Sequence, residues 1–225
     1  MDYKHNKTLQ QTVILFTRYP QAGKVKTRLI ALLGPEGATA LHDRLTKRVL
    51  NNIEPILRTG QVQLQVYYCG GSAEEMRCWL GKNIRLARQQ GSGLGERMQH
   101  AFERTWRQGR ERVLLIGSDC PGITPSIIEN GLKYLASHDL VLGPAADGGY
   151  YLIGLKADVQ NCQQKKCKNN YKLLFQNINW GSEAVLQQTV QQAEKAKLSF
   201  ALLTELHDID RPEDIVHFRY HPGSQ

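Results

Sequence analysis

Residues 12–28 read TVILFTRYPQAGKVKTR. The opening TVILFT is apolar and rich in β-branched residues, with the length of a buried strand. It runs directly into a loop that carries Arg18, Lys24, Lys26 and Arg28, with Pro20 and Gly23 shaping the backbone. In an open α/β sheet, ligands bind just beyond the carboxyl ends of the strands. Cations concentrated there predict a polyanionic ligand, foremost a nucleotide phosphate chain. The loop is not a Walker A, which needs Gly-Lys-Ser/Thr so that amides wrap the phosphates and the hydroxyl meets magnesium. Here Val25 follows Gly23-Lys24 and precedes Lys26-Thr27. A solvated basic loop is the plain alternative.

Further along the chain, strand-length apolar runs alternate with segments of helical period. Strands are predicted near Thr12–Thr17, Val62–Tyr68, Ile84–Gln89, Arg112–Gly117, Leu140–Leu142, Tyr150–Leu155 and Leu198–Leu203. Helices fit Pro35–Leu57, Ala73–Leu80, Gly95–Trp106, Pro125–Ala136 and Ser182–Ala196, and Pro212 opens a short final helix. This rhythm predicts an α/β fold: a three-layer, Rossmann-like α/β/α sandwich with a mainly parallel sheet. Around Asp147-Gly148-Gly149 two strands follow closely, which predicts a departure from parallel winding. Residues 156–170 are polar and without period, an expected exposed loop. With no repeat or linker in view, residues 1–225 are expected to form a single domain.

The chain has 225 residues, enough to bury a core without disulfides or a structural metal. No stretch approaches the roughly 20 apolar residues of a membrane span. The first residues, MDYKHNKTLQQ, lack the apolar core of a signal peptide, so a cytoplasmic protein is expected. The five cysteines, Cys69, Cys78, Cys120, Cys162 and Cys167, show no Cys-x-x-Cys spacing, which argues against zinc and against a disulfide framework. The net charge of +8 favours anionic ligands, but the cations are spread along the chain, so specific nucleic-acid binding is not expected.

Three further stretches could carry chemistry. Asp119 in Ser118-Asp119-Cys120-Pro121 follows a predicted buried strand and is placed to bind a divalent ion; capping the next turn is the alternative. Asp147, Gly148, Gly149 and Tyr150 combine a carboxylate with glycines that permit close approach to a ligand, or simply a hairpin turn. In His207-Asp208-Ile209-Asp210-Arg211-Pro212, one acid is expected to cap the helix, leaving the other for metal. The Gly91-Ser92-Gly93-Leu94-Gly95-Glu96-Arg97 stretch lacks the dinucleotide spacing but can offer amides to an anion at a helix start, or serve as a plain turn. No nucleophile elbow occurs. His42, His100 and His138 read as surface or core-edge residues, and Tyr150, Tyr151 and Trp180 as core residues that could alternatively stack a base or sugar.

RYPQAGKVKTRL, GLGERM, GSDCPGIT, LGPAADGGYYLIGL, WGSEAVLQQT and DIDRPEDI occur in this order across nearly the whole chain. Together they resemble the bacterial family named rSAM/selenodomain-associated transferase 1, a glycosyltransferase-A-like group related to the phospholactate guanylyltransferases. The resemblance implies the nucleotide-diphospho-sugar transferase fold. It further implies a phosphate-holding role for Lys24, Lys26 and Arg28, with Arg18 and Gly23 nearby. Metal binding (Mg²⁺ or Mn²⁺) would fall to Asp119 with Asp208 or Asp210. Gly93, Gly95, Glu96 and Arg97 would approach the base or ribose, and Asp147 to Tyr151 the acceptor. The chain has Asp-Cys-Pro rather than the Asp-x-Asp of many glycosyltransferases, a departure that leans toward nucleotidyl transfer. The expected partners are a nucleoside triphosphate, or alternatively a nucleotide-sugar, and a small phosphorylated or hydroxylated acceptor. A non-catalytic nucleotide- or RNA-binding module is the reading from charge alone.

Overall fold

The computed structural model describes residues 11–157 and 169–219. Seven strands, β1 (Gln11–Arg18), β2 (Val62–Cys69), β3 (Arg85–Arg88), β4 (Arg112–Gly117), β5 (Leu140–Pro144), β6 (Tyr150–Lys156) and β7 (Phe200–Leu202), form one sheet in the order β3-β2-β1-β4-β6-β5-β7. All pairings are parallel except those of β6, which runs antiparallel to both β4 and β5. The helices are α1 (Ile30–Arg58), α2 (Ala73–Leu80), α3 (Leu94–Trp106), α4 (Pro125–Ser137), α5 (Val185–Lys195) and α6 (Ile215–Arg219). Most of the expected exposed loop, residues 158–168 with Cys162 and Cys167, lies outside the described residues.

Alternation along β1 shows why both faces of the sheet are covered. Ile14 and Phe16 join Met98, Phe102 and Trp106 of α3 on one face. Val13 and Leu15 join Val49 and Ile53 of α1 and Ile128 and Leu135 of α4 on the other. Strands buried on both faces read as continuous apolar runs, as TVILF does. The helix expected from Pro35 begins earlier, at Ile30, and breaks at Gly34, whose φ of 69° and ψ of 168° are non-helical. Pro35 then restarts it, since proline has a suitable φ and no amide to satisfy.

β6 enters between β4 and β5 only because its centre is small. A Cβ on Gly154 would stand 2.4 Å from Leu114 Cδ2 and 3.2 Å from Leu135 Cδ1. Leu114 cannot retreat, because Gly131 of α4 closes on it from the helix side, with only 3.1 Å for a Cβ there. Gly154→Val should therefore lower the unfolding free energy by about 1–3 kcal/mol through overpacking. Denaturant titration with an unchanged slope would register it; wild-type stability would show that the Leu114 contact is slack.

Candidate active site

Three segments meet at the carboxyl edge of the sheet: the loop after β1, the turn after β4, and the chain after β7. The last is drawn in by backbone pairing. The Leu206 amide donates to Pro144 O (3.0 Å), the Ala146 amide donates to Leu206 O (2.9 Å), and the Ile209 amide donates to Asp119 O (3.0 Å). Ile209 is fully buried against Leu29, Leu41 and Leu45, which anchors Asp208 and Asp210 on either side of it.

Lys26 occupies the centre. Its backbone is left-handed (φ 48°, ψ 43°), a rare state for a side-chain-bearing residue. Only 8% of the residue is exposed. Nζ lies 3.0 Å from Asp119 Oδ2 and 3.6 Å from Asp210 Oδ1, as ion pairs without well-directed hydrogen bonds. On the solvent side, Arg28 Nη1 pairs with Asp210 Oδ2 at 2.5 Å. Behind them His42, buried on α1, lies with Nε2 2.8 Å from Arg18 O, so that Nε2–H donates there. Its Nδ1 is 4.0 Å from Asp119 Oδ1. Burial lowers the His42 pKa, which favours the neutral ring. His42 is thus part of the site and not a surface or core-edge residue. The available signal was its place on the buried stripe of α1 between Leu41 and Leu45.

The carboxylates differ in state. Burial works against the charge on Asp119, but the Lys26 ammonium outweighs it and holds the carboxyl below its ordinary range. Asp208 is pushed up to about 7, by burial first and then by the charges of Asp119 and Asp147. Its Oδ1 is buried and has no hydrogen-bond partner among the described residues. Neither Asp208 nor Asp210 caps the final helical segment, contrary to expectation. Asp214 Oδ2 accepts the amides of Asp210 and Arg211 instead, and both acids stay available. Asp147 does serve its turn, with Oδ1 accepting from the Gly149 amide at 2.9 Å, which leaves Oδ2 uncommitted.

Two cavities flank the Lys26 ion pairs. One, of about 380 Å³, is lined by Arg18, Lys24, Lys26, Arg97, Gln89 and Asp119 among others. The second, of about 490 Å³, is lined by Asp147, Gly149, Tyr150, Trp180 and Asp208 among others. Leu94 and Asp210 border both. Arg28, expected with the other loop cations, lines the second cavity. The GLGERM stretch divides its tasks. Arg97 donates through Nε to Gly91 O and reaches the first cavity, while the exposed Glu96 turns back to accept from the Ser92 amide and hydroxyl. Gly93 forms the helix start without a side-chain cap. Gly95 is glycine for packing, because a Cβ would lie 2.8 Å from Phe175 O and 2.9 Å from the Trp180 ring. Gly23 takes a positive φ of 75° in the first loop. Tyr150 and Trp180 meet edge to face, with centroids 6.4 Å apart, and both line the second cavity.

Among the described residues no group of three or more His, Cys, Asp or Glu side chains is arranged to hold a metal by itself. Magnesium does not require one, since it binds through one or two carboxylates with substrate phosphates and water completing its shell. The unpartnered Asp208 Oδ1, and the burial and neighbouring carboxylates that raise the Asp208 pKa, fit such an ion beside Asp119.

This sheet order with its single reversed strand and a basic loop after β1 is the nucleotide-diphospho-sugar transferase fold. The crystal structure of a protein from Desulfovibrio desulfuricans G20, provisionally assigned as a nucleotide-diphospho-sugar transferase, matches with a TM-score of 0.83 at 33% identity over 96% of this chain and 89% of that one. The chain belongs to the bacterial family DUF2064, described as an uncharacterized protein conserved in bacteria, whose model matches residues 52–182. More distant structures share the fold. The 4-diphosphocytidyl-2C-methyl-D-erythritol synthase of Anaerococcus prevotii DSM 20548 has a TM-score of 0.57 at 10% identity, over 93% of this chain and 94% of that one. Glucosyl-3-phosphoglycerate synthase of Mycobacterium tuberculosis, solved with Mg²⁺ and uridine diphosphate, has 0.51 at 12%, over 92% and 74%. No protein of curated function matches the sequence.

The turn that carries Asp147 is held by a tight contact. Gly148 has φ 84°, and a Cβ there would stand 2.1 Å from Glu183 O. Gly148→Ala should cost about 2 kcal/mol or more from left-handed strain and backbone displacement. At this chain length the melting temperature falls by about 4–8 °C. A melting curve unchanged within a degree would refute the contact.

Proposed function

We propose that the protein is a nucleotidyltransferase that moves a nucleotidyl group from a nucleoside triphosphate to a small phosphorylated or hydroxylated acceptor. The observation that carries this reading is the apposition of a cationic cavity and a carboxylate-bearing cavity across the Lys26–Asp119–Asp210 ion pairs. The solvent-facing cations Arg18, Lys24 and Arg97 would bind the phosphate chain, with Gly23 giving the loop its turn. Lys26, its Nζ buried, is better suited to hold Asp119 and Asp210 ionised and in place than to meet a phosphate itself. Asp119 and Asp208, with Asp210 at hand, would hold a divalent cation, Mg²⁺ or Mn²⁺. When bound, such an ion neutralises charge developing on the phosphates.

The acceptor oxygen attacks the α-phosphorus in line. A new P–O bond forms as the bond to the bridging oxygen breaks, and pyrophosphate leaves. Asp147 Oδ2, uncommitted to the turn, can take the proton of a hydroxyl acceptor. Catalysis on these terms is positioning and electrostatic stabilisation. The family resemblance to the rSAM/selenodomain-associated transferases and a cytoplasmic location are consistent with this reading.

Glycosyl transfer from a nucleotide-sugar is the second reading, favoured by the assignment of the Desulfovibrio relative. Products separate the two: pyrophosphate marks nucleotidyl transfer, and a free nucleoside diphosphate marks glycosyl transfer.

A thermal-shift panel of nucleoside triphosphates and nucleotide-sugars, with and without Mg²⁺, tests both. A ligand at 100 times its dissociation constant adds roughly 2.7 kcal/mol, a rise of about 5–10 °C at this size. No magnesium-dependent shift with any nucleotide would sink both readings. In the active assay, Asp119→Asn and Lys26→Ala should each lose at least about 10²-fold in kcat/KM while retaining the wild-type circular dichroism spectrum. Near-normal turnover in either variant removes that residue from the mechanism.

A further inference from the structure

The two cavities are opposite in electrostatic character. Among the described residues, the second is lined by the carboxylates of Asp147, Glu183, Asp208, Asp210, Glu213 and Asp214, against the guanidinium groups of Arg28 and Arg211. Arg28 is already paired with Asp210. Even with Arg211 and a divalent ion shared by Asp119 and Asp208, the six carboxylates leave the cavity net negative. A phosphate group entering here would meet like charge, which is a device of discrimination in itself.

Hydrogen-bond supply points the same way. An ionised carboxylate only accepts, and so does an ionised phosphate. The Ser182 hydroxyl, a donor on this wall, is committed to Asn179 O at 2.8 Å. Arg28 and Arg211 supply the charged donors here, but the carboxylate acceptors outnumber them, so the cavity favours a ligand that is itself rich in donors. Asp147 Oδ2 and the exposed Glu183 carboxylate suit hydroxyl groups, and the half-buried Trp180 and Tyr150 rings supply apolar surface for a ring's C–H face.

We propose that the second cavity takes a hydroxyl-rich acceptor that carries no phosphate or carboxylate group, a sugar or cyclic polyol. This narrows, and rests on, the transferase reading above. It runs against the phosphorylated acceptor that the guanylyltransferase resemblance would favour.

The test is binding of matched pairs by saturation-transfer NMR and calorimetry: glucose and glucose 1-phosphate, myo-inositol and myo-inositol 1-phosphate, glycerol and glycerol 3-phosphate. Each is run with the nucleotide-free protein and with the nucleotide that gives the largest thermal shift. At least one uncharged member should bind about tenfold tighter than its phosphorylated partner, and Trp180→Ala should weaken it. The exposed pair Glu183→Gln/Glu213→Gln, which should fold normally, should narrow the discrimination by improving the phosphorylated member. A tighter phosphorylated member, binding by neither member of any pair, or discrimination unchanged in the double variant overturns the proposal. Loss of all nucleotide shifts, read separately, overturns the transferase reading instead.

Discussion

The Lys26 ammonium sits between the carboxylates of Asp119 and Asp210, which arrive from the turn after β4 and the segment after β7. A buried ammonium persists only where opposite charge compensates its lost hydration. Two acids from distant parts of the chain must therefore converge on it, and it on them. The left-handed backbone at Lys26 aims the side chain inward, while the next residues begin the short helix that leads into α1. Without this cation the two carboxylates would repel each other across the gap, and the chain after β7 would be held by its backbone links to 144–146 and to Asp119, by buried Ile209 and by the Arg28–Asp210 pair. The two cavities meet at Asp210, one end of this pairing.

The same pairing marks an electrical boundary. On one side Arg18, Lys24 and Arg97 face a cavity suited to phosphates. On the other, burial and then the neighbouring acids raise Asp208 to a pKa of about 7. His42 stands behind the boundary and links α1 to the carbonyl of Arg18, where β1 ends. It reaches the position of the phosphate loop without presenting a charge of its own, because burial favours its neutral form.

Most of the seven strands were legible as short apolar runs bounded by polar or glycine-rich turns, and β1 and β4 hardly shift from their expected bounds. The reversal at β6 was legible from Asp147-Gly148-Gly149. The break at Gly34 was not, since glycine before proline reads equally well as a helix start. The convergence of Lys26, Asp119 and Asp210 follows from strand order, which a local pattern does not encode. Local chemistry also misassigned the cap of the final helix. One of Asp208 and Asp210 read as the cap, with the other left for metal, yet Asp214 accepts the amides of Asp210 and Arg211. His42 was missed because one polar residue on an apolar stripe carries no sign of what it faces. Tyr150 was marked for the acceptor by the resemblance, but Trp180 read as a core residue because the pocket is built by a loop that packs onto α3 through Gly95, a tertiary contact.

The placement of β6 between β4 and β5 also orders the making of the molecule. A chain emerging from the ribosome can complete β1 to β4 from its first 117 residues, with every neighbour in parallel register. The outer edge of β4 then has no partner until Tyr150–Lys156 has been synthesised, because β5 never touches it. For that interval the nascent protein exposes an apolar strand edge, the kind of template that recruits other chains. Synthesis paused between β4 and β6 should be the moment at which this protein most needs a chaperone.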